Sequence, residues 1–372
     1  MIDFAELCNG GLTRIKPYQA GRPIEEVKRE LGLEDVIKLA SNENPFGMSP
    51  KALKAAQKVL TEGNFYPDSN GYYLKQKLKN KWGYDPLCVT LGAGSNELIN
   101  LLFQAFVNDK VNVVLPEYSF VVYSMEATVN AAQVKTVPLK NYCADIDGLI
   151  AAVDERTRVV ALANPSNPIG TGVSGAELER LLNALPESTL LVIDEAYNEF
   201  NEGQGDYVDS ARLMGTHPNL VISRTFSKAY GLAGLRVGYM LTNPDIASLL
   251  NRLRAPFNVN APALAAAEAA IDDQTFIRKV VENNTRERER FYAFCKETGL
   301  TAIPSQANFV AIDFAPLKLD AQQINQELLK QGVIVRPLTG YQLPTLLRVS
   351  IGTPEQNERF FSVLRGLLKE YY

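Results

Sequence analysis

The stretch RTFSKAYGLAGLRVGY, Arg224 to Tyr239, sets Lys228 among small and apolar residues and returns to an apolar run only after Arg236. Gly231 and Gly234 lie between the two cations, and the stretch contains no acidic residue. A solvated helical face mixes cations with acidic partners and strong helix formers, so this composition points to a site. An amine in a desolvated setting has its pKa pushed down, which favours the free base that forms a Schiff base with an aldehyde. Arg236 and Ser227, together with backbone amides elsewhere, suit a phosphate.

The elements that must position these groups follow from hydrophobic pattern. Short apolar runs alternate with helical patterns: LCVTL (87–91) before SNELINLLFQAF, VNVVL (111–115) before FVVYSMEATVNAA, then RVVALA (158–163), LLVI (190–193), LVIS (220–223) and RVGYML (236–241). Runs this apolar suit strands covered on both faces, as in a parallel α/β sheet. Ser174 and Glu177 in SGAELERLL have capping-box spacing at a helix start. Residues 45–255 read as one large α/β domain, 1–44 as an N-terminal arm, and 256–372 as a smaller α+β domain. In the last, NAPALAAAEAA and residues 274–298 read as helices, and ANFVAIDF, GVIVRPL and LLRVSIG as strands.

In such sheets ligands bind beyond the carboxyl ends of the strands. GAGSNE (92–97) opens a helix there and offers the amides of Gly94 and Ser95 to a phosphate. PEYSF supplies Tyr118 to cover a flat ring, NPSNPIG supplies Asn167 as a donor, and LLVI ends in DEAY, which begins at Asp194. Four apolar residues followed by Asp-Glu also fit the Walker B strand of a nucleotide triphosphatase. That reading needs GxxxxGK[ST], and the chain contains no Gly-Lys dipeptide. An amine for an aldehyde, a phosphate cradle, an acid for a ring nitrogen and an aromatic cover together describe a site for pyridoxal 5′-phosphate.

The totals narrow the alternatives. The 372 residues are 46% hydrophobic and 22% charged, ordinary for a globular chain. With 38 basic and 42 acidic residues the net charge is -4, which implies neither nucleic acid nor an anionic membrane as partner. MIDFAELCNG has no signal-peptide pattern, and no apolar run approaches the length of a membrane span, so a cytoplasmic protein is expected. Cys8, Cys88, Cys143 and Cys295 are far apart, and His217 is the single histidine. No metal site and no Ser-His-Asp triad is therefore expected.

NPSNPIG, DEAY and SKAYGLAGLRVGY resemble the signature of the fold type I pyridoxal-phosphate aminotransferases. With YPD at Tyr66, ASNENPFG from Ala40, SQANFV from Ser305 and LLRVSIGT from Leu347, the chain resembles the histidinol-phosphate aminotransferase family along nearly its whole length. Threonine is commoner in that family at Ile169, and an acid at Asn96. The resemblance implies a large, mostly parallel sheet covered by helices plus a smaller α+β domain. It implies that Lys228 carries the cofactor, that Asp194 pairs with the ring nitrogen, and that Asn167 and Tyr197 bind the ring hydroxyl under Tyr118. Ala93, Gly94, Ser95, Thr225, Ser227 and Arg236 would hold the phosphate. Tyr66 would reach the cofactor of the neighbouring subunit, which makes the enzyme a homodimer. Tyr18, Asn42, Arg336 and Arg348 would bind substrate.

Arg336 and Arg348 each stand beside apolar strand residues. A buried cation without a counter-charge is costly, and both are expected to meet an anionic substrate. The expected reaction is transamination between L-histidinol phosphate and 2-oxoglutarate. An aromatic amino acid aminotransferase and a phosphothreonine decarboxylase-like lyase are the alternatives on the same scaffold.

Overall fold

A computed structural model of the protein describes residues 2–8, 10–17, 21–201 and 206–371. Seven strands form the main sheet: β1 (Val89–Gly92), β2 (Asn112–Pro116), β3 (Gln133–Val137), β4 (Thr157–Ala163), β5 (Leu190–Asp194), β6 (Leu220–Thr225) and β7 (Gly238–Leu241). Their spatial order is β1-β7-β6-β5-β4-β2-β3. All neighbouring pairs are parallel except those made by β7, which runs antiparallel to β1 and β6. The sheet is thus the mostly parallel one expected. β5 and β6 are buried at every position, as strands covered on both faces must be.

Two apolar cores flank this sheet. On one side helix Ser95–Phe106 places Leu98, Leu102 and Phe103 with Val113, Val192 and Met240. On the other, helix Gly175–Ala184 places Leu178, Leu181 and Leu182 with Leu162, Ile193 and Ile222. The Ser174–Glu177 capping box is formed at the start of that helix. Helix Ala261–Ile271, beyond residue 255, packs its alanines into this second core too.

The 25-residue helix Gln274–Thr298 passes from one unit to the other. Its Ile277 belongs to the large core, while Phe291, Phe294 and Cys295 belong to a separate core with Phe360 and Phe361. That smaller unit has a four-stranded antiparallel sheet of β8 (Thr301–Ala302), β9 (Phe309–Asp313), β10 (Arg336–Pro337) and β11 (Leu346–Ser350), in the order β10-β11-β9-β8. Residues Ile37–Lys38 pair in parallel with Val333–Ile334, and Leu39 joins the small core. The segment leading to the site is therefore attached to the smaller unit.

Candidate active site

The carboxyl ends of the main strands converge on one cavity with the N-terminal segment and the small sheet. Its lining includes Ser41, Asn42, Ser95, Asn167, Asp194, Tyr197, Thr225, Ser227, Lys228, Arg236, Arg336 and Arg348. Strand pairing accounts for much of this. Ala163 at the end of β4 is opposite Asp194 at the end of β5, and Thr225 at the end of β6 is opposite Gly238. The parallel strands β4, β5 and β6 end within two residues of one another, so the residues after them face the same space.

Lys228 follows β6 on a tight loop. Its Nζ donates to the Ser41 carbonyl at 3.3 Å and lies 5.7 Å from the centre of the Tyr197 ring. Burial lowers the amine to about 8, assisted by the positive charges of Arg348 and Arg236 and opposed by Glu43 and Asp194. Gly231 makes the loop possible. Its φ is +72°, and a Cβ there would lie 2.1 Å from the Gly47 carbonyl oxygen.

Asp194 is 3% exposed. Its Oδ2 accepts from the Tyr123 hydroxyl at 2.9 Å, and its Oδ1 has no hydrogen-bond partner among the described residues. Burial pushes the carboxyl up to about 6, against the donors Tyr123 and the Ala196 amide and the charge of Lys228. The Tyr197 hydroxyl accepts from Asn42 Nδ2 at 2.9 Å and from Asn167 Nδ2 at 3.2 Å. Burial raises this phenol to about 12, so it keeps its proton at neutral pH and can donate it.

A second group of donors gathers at the start of helix Ser95–Phe106. Gly94 precedes it with φ +86°, and a Cβ there would meet Arg236 Nη2 at 2.5 Å. Arg236 itself takes a left-handed φ of 61° and donates to the carbonyls of Ala233 at 2.9 Å and Ala93 at 3.4 Å. Thr225 Oγ1 bonds both the hydroxyl and the amide of Ser227, at 2.9 and 3.1 Å. A helix N-terminus, two hydroxyls and a guanidinium around one space make an anion cradle.

The small unit closes the cavity. Arg336 and Arg348 are directly opposite in the β10–β11 ladder, so both side chains leave the same face of the sheet. Arg348 donates to Asn167 Oδ1 at 2.6 Å and to the Ala40 carbonyl at 2.8 Å, with its guanidinium 5.2 Å from the Phe309 ring centre. Asn42, with φ 54°, is fixed from behind: Ser350 Oγ accepts from its amide and donates to its Oδ1, and Asn308 donates to its carbonyl.

Some expected residues lie elsewhere. Tyr118 lines an adjoining cavity that shares Ala163 and Asn167 with the first, and packs near Ile169 and Tyr341. Tyr66 is 82% exposed and stacks on Phe257 with ring centres 4.6 Å apart. Tyr18 lies outside the described residues. Tyr123, Ser350, Phe120 and Tyr341 belong to the site or support it without having been anticipated. Tyr123 is one of two tyrosines in PEYSFVVY, and sequence carries no signal that the second reaches Asp194.

The family model for aminotransferase class I and II matches residues 34–364. Histidinol-phosphate aminotransferase 2 of Haemophilus influenzae is 45% identical over 368 residues, covering 99% of this chain and 100% of that protein. Histidinol-phosphate aminotransferase 2 of Pasteurella multocida is 47% identical with the same coverage. Among solved structures, the histidinol-phosphate aminotransferase of Sinorhizobium meliloti in complex with pyridoxal-5′-phosphate superposes with a TM-score of 0.87 at 29% identity, over 97% of each chain. Aspartate aminotransferase of Thermus thermophilus, at 22% identity and a TM-score of 0.82, shares the fold. The chain belongs to the class I and II aminotransferases and, within them, to the histidinol-phosphate aminotransferase family.

Proposed function

We propose that the protein is a pyridoxal-phosphate-dependent aminotransferase that exchanges an amino group between L-histidinol phosphate and 2-oxoglutarate, and that in histidine biosynthesis it consumes imidazole acetol phosphate and glutamate. The observation that carries this reading is the placement of two directly opposed arginines, Arg336 and Arg348, in the wall of the cavity that holds Lys228 and Asp194. The full-length similarity to proteins named for this reaction supports the substrate.

The residues present fit the cofactor. Asp194 Oδ1 is a buried acceptor without a partner among the described residues, as a protonated ring nitrogen requires. A Cβ on Gly94 would stand 2.5 Å from Arg236 Nη2, so the bare backbone lets the guanidinium lie against the start of the helix, where its charge and the helix amides suit a phosphate. Lys228 Nζ would attach the cofactor aldehyde, Tyr197 and Asn167 would bind the ring hydroxyl, and Thr225, Ser227, Arg236 and the 93–95 loop would hold the phosphate. Tyr118 reaches the ring in this reading only from the adjoining cavity. Bound there, the cofactor supplies an electron sink for charge at the substrate α-carbon.

The protein's own groups supply the rest. Asp194 holds a positive charge on the ring by remaining ionised. Lys228, with its amine lowered to about 8, is matched to accepting and returning a proton near neutral pH. Arg348 would take the carboxylate of glutamate and Arg336 the phosphate of the alternate substrate, since a planar fork suits both anions. Asn42 and Tyr18 complete the substrate side in this reading.

We further propose a homodimer acting in the cytoplasm. Phe65, Tyr66 and Tyr73 are 71%, 82% and 69% exposed, an aromatic surface of the kind a partner subunit covers. Among the described residues no helix is long and apolar enough to cross a membrane.

The deciding experiment follows loss of the bound-cofactor absorbance in single half-reactions with histidinol phosphate, phenylalanine, tyrosine and phosphothreonine. Histidinol phosphate should react fastest. A faster reaction with phenylalanine would replace this reading with an aromatic aminotransferase, and carbon dioxide release from phosphothreonine with a lyase.

A further inference from the structure

The carboxylate of Asp194 is asymmetric. Oδ2 is occupied by the Tyr123 hydroxyl at 2.9 Å, while Oδ1 is buried without a hydrogen-bond partner among the described residues. Tyr123 is fully buried on helix Val121–Val129 and is fixed there by the core of Leu115, Val159 and Val192 and by an edge-on contact with Phe120, ring centres 5.8 Å apart. The donor is thus delivered by a packed helix on the face of the sheet that Val192 and Asp194 share, and Asp194 itself lines the cavity.

The charged and titratable groups around Asp194 pull in different directions. The Tyr123 hydroxyl, the Ala196 amide and Lys228 favour the ionised carboxylate, whereas burial and the neighbouring Glu195 disfavour it. Glu195 is itself held by Arg224 at 2.8 Å, and Arg224 also bonds Asp209 and Tyr84. Tyr197 faces the same space. Tyr123 cannot give up its proton to the acid, because burial and the adjacent negative charge raise the phenol well above its ordinary value. It remains a donor throughout the working pH range.

A proton between Asp194 Oδ1 and a pyridine nitrogen has two possible owners, since a pyridine is only weakly basic and a buried carboxylate is more basic than usual. We propose that Tyr123 is a positioning residue that keeps this proton on the ring nitrogen, by donating to Oδ2 and so holding Asp194 as the carboxylate. The inference rests on the pyridoxal-phosphate reading of the site. Without the hydroxyl, Asp194 loses its side-chain donor, only the Ala196 amide remains as a donor, and the carboxylate becomes the better base. The proton then moves from the ring nitrogen to Oδ1, leaving a neutral acid and a neutral ring, and the electron sink is weakened.

The test uses holoenzyme reconstituted with pyridoxal phosphate labelled with nitrogen-15 in the ring, in three proteins ordered by donor strength: Tyr123→Phe, wild type, and the protein with 3-fluorotyrosine at position 123. The nitrogen signal should stand at the protonated-ring position in wild type and move toward the neutral-pyridine position in Tyr123→Phe. That variant should also lose about ten-fold or more in kcat of the half-reaction with little change in KM, the order expected for one hydrogen bond to a charged group. The fluorotyrosine protein should match wild type or lie further toward the protonated position at the acid end. A ring-nitrogen signal unchanged in Tyr123→Phe makes Tyr123 a packing residue and overturns the proposal. If Tyr123→Phe fails to fold, a fluorotyrosine signal displaced toward neutral pyridine overturns it, and one at or beyond wild type supports it. Failure of the wild-type protein to take up the cofactor would instead remove the functional reading and the proposal with it.

Discussion

At the scale of single residues the site is governed by desolvation. An ordinary lysine is about one part in a thousand or less free base at neutral pH, whereas an amine near 8 is about a tenth free base. Capture of pyridoxal phosphate by apoprotein should therefore speed up as pH rises and level off above about 8. Arg348 contributes to lowering the Lys228 amine, so in Arg348→Ala the midpoint of the capture-rate profile should move to higher pH; stopped-flow absorbance measures both. Lys228→Ala should abolish fixation of cofactor by borohydride, read by mass spectrometry. Asp194→Asn keeps the shape and loses the charge, and one such electrostatic contribution is worth about 10²-fold or more in rate. A near-normal half-reaction in that variant would remove Asp194 from the role. Arg336→Ala should cost about one to two powers of ten in kcat/KM with histidinol phosphate and less with phenylalanine, while Arg348→Ala should impair both half-reactions.

At the scale of elements, what matters is where strands stop and how the loops beyond them are held. Gly231 lies in the loop carrying Lys228, packed against Gly47 with no room for a Cβ and with φ +72°. Gly231→Ala should lower the melting temperature and release cofactor more readily, because the 47–48 backbone must move with it; thermal denaturation and equilibrium dialysis check each part. The strands β1, β2, β4, β5 and β6 were legible as apolar runs, since both their faces are covered. RVGYML was equally apolar, yet β7 runs antiparallel, a direction that burial alone does not encode. β3 gave no run because it is the edge strand and only Val137 is fully buried. GVIVRPL reads as one strand but is divided between two sheets, Val333–Ile334 pairing with Ile37–Lys38 and Arg336–Pro337 with β11. That division turns Arg336 to the cavity.

At the scale of the whole molecule, the cavity is closed by a segment from near the start of the chain and a sheet from near its end. Asn42, Ser350 and Asn308 form one hydrogen-bonded unit across more than 260 residues of sequence, with Asn308 donating to Asn42 over a separation of 266. Arg348 ties that unit to the large sheet through Asn167. Assembly should matter as well. If Tyr66 serves the partner's site, mixing Tyr66→Phe chains with Lys228→Ala chains should restore part of the activity after subunit exchange. Absence of recovery, with exchange confirmed by native mass spectrometry, would count against shared sites.

The residues proposed to hold the cofactor, Lys228, Asp194, Tyr197, Asn167 and Arg236, were legible in sequence because each lies beside a local pattern: an apolar strand, an Asn-Pro turn or a glycine-rich bend. Local pattern places a residue at a strand end, and the parallel sheet brings strand ends together. Tertiary structure alone decided the partners. It made Tyr123 the donor to Asp194, left Tyr118 in the adjoining cavity, put Asn42 on Tyr197, and set Arg336 opposite Arg348. Each of these depends on how two distant segments pack and in what register they pair, and neither packing nor register is written in the residues on one side of the contact.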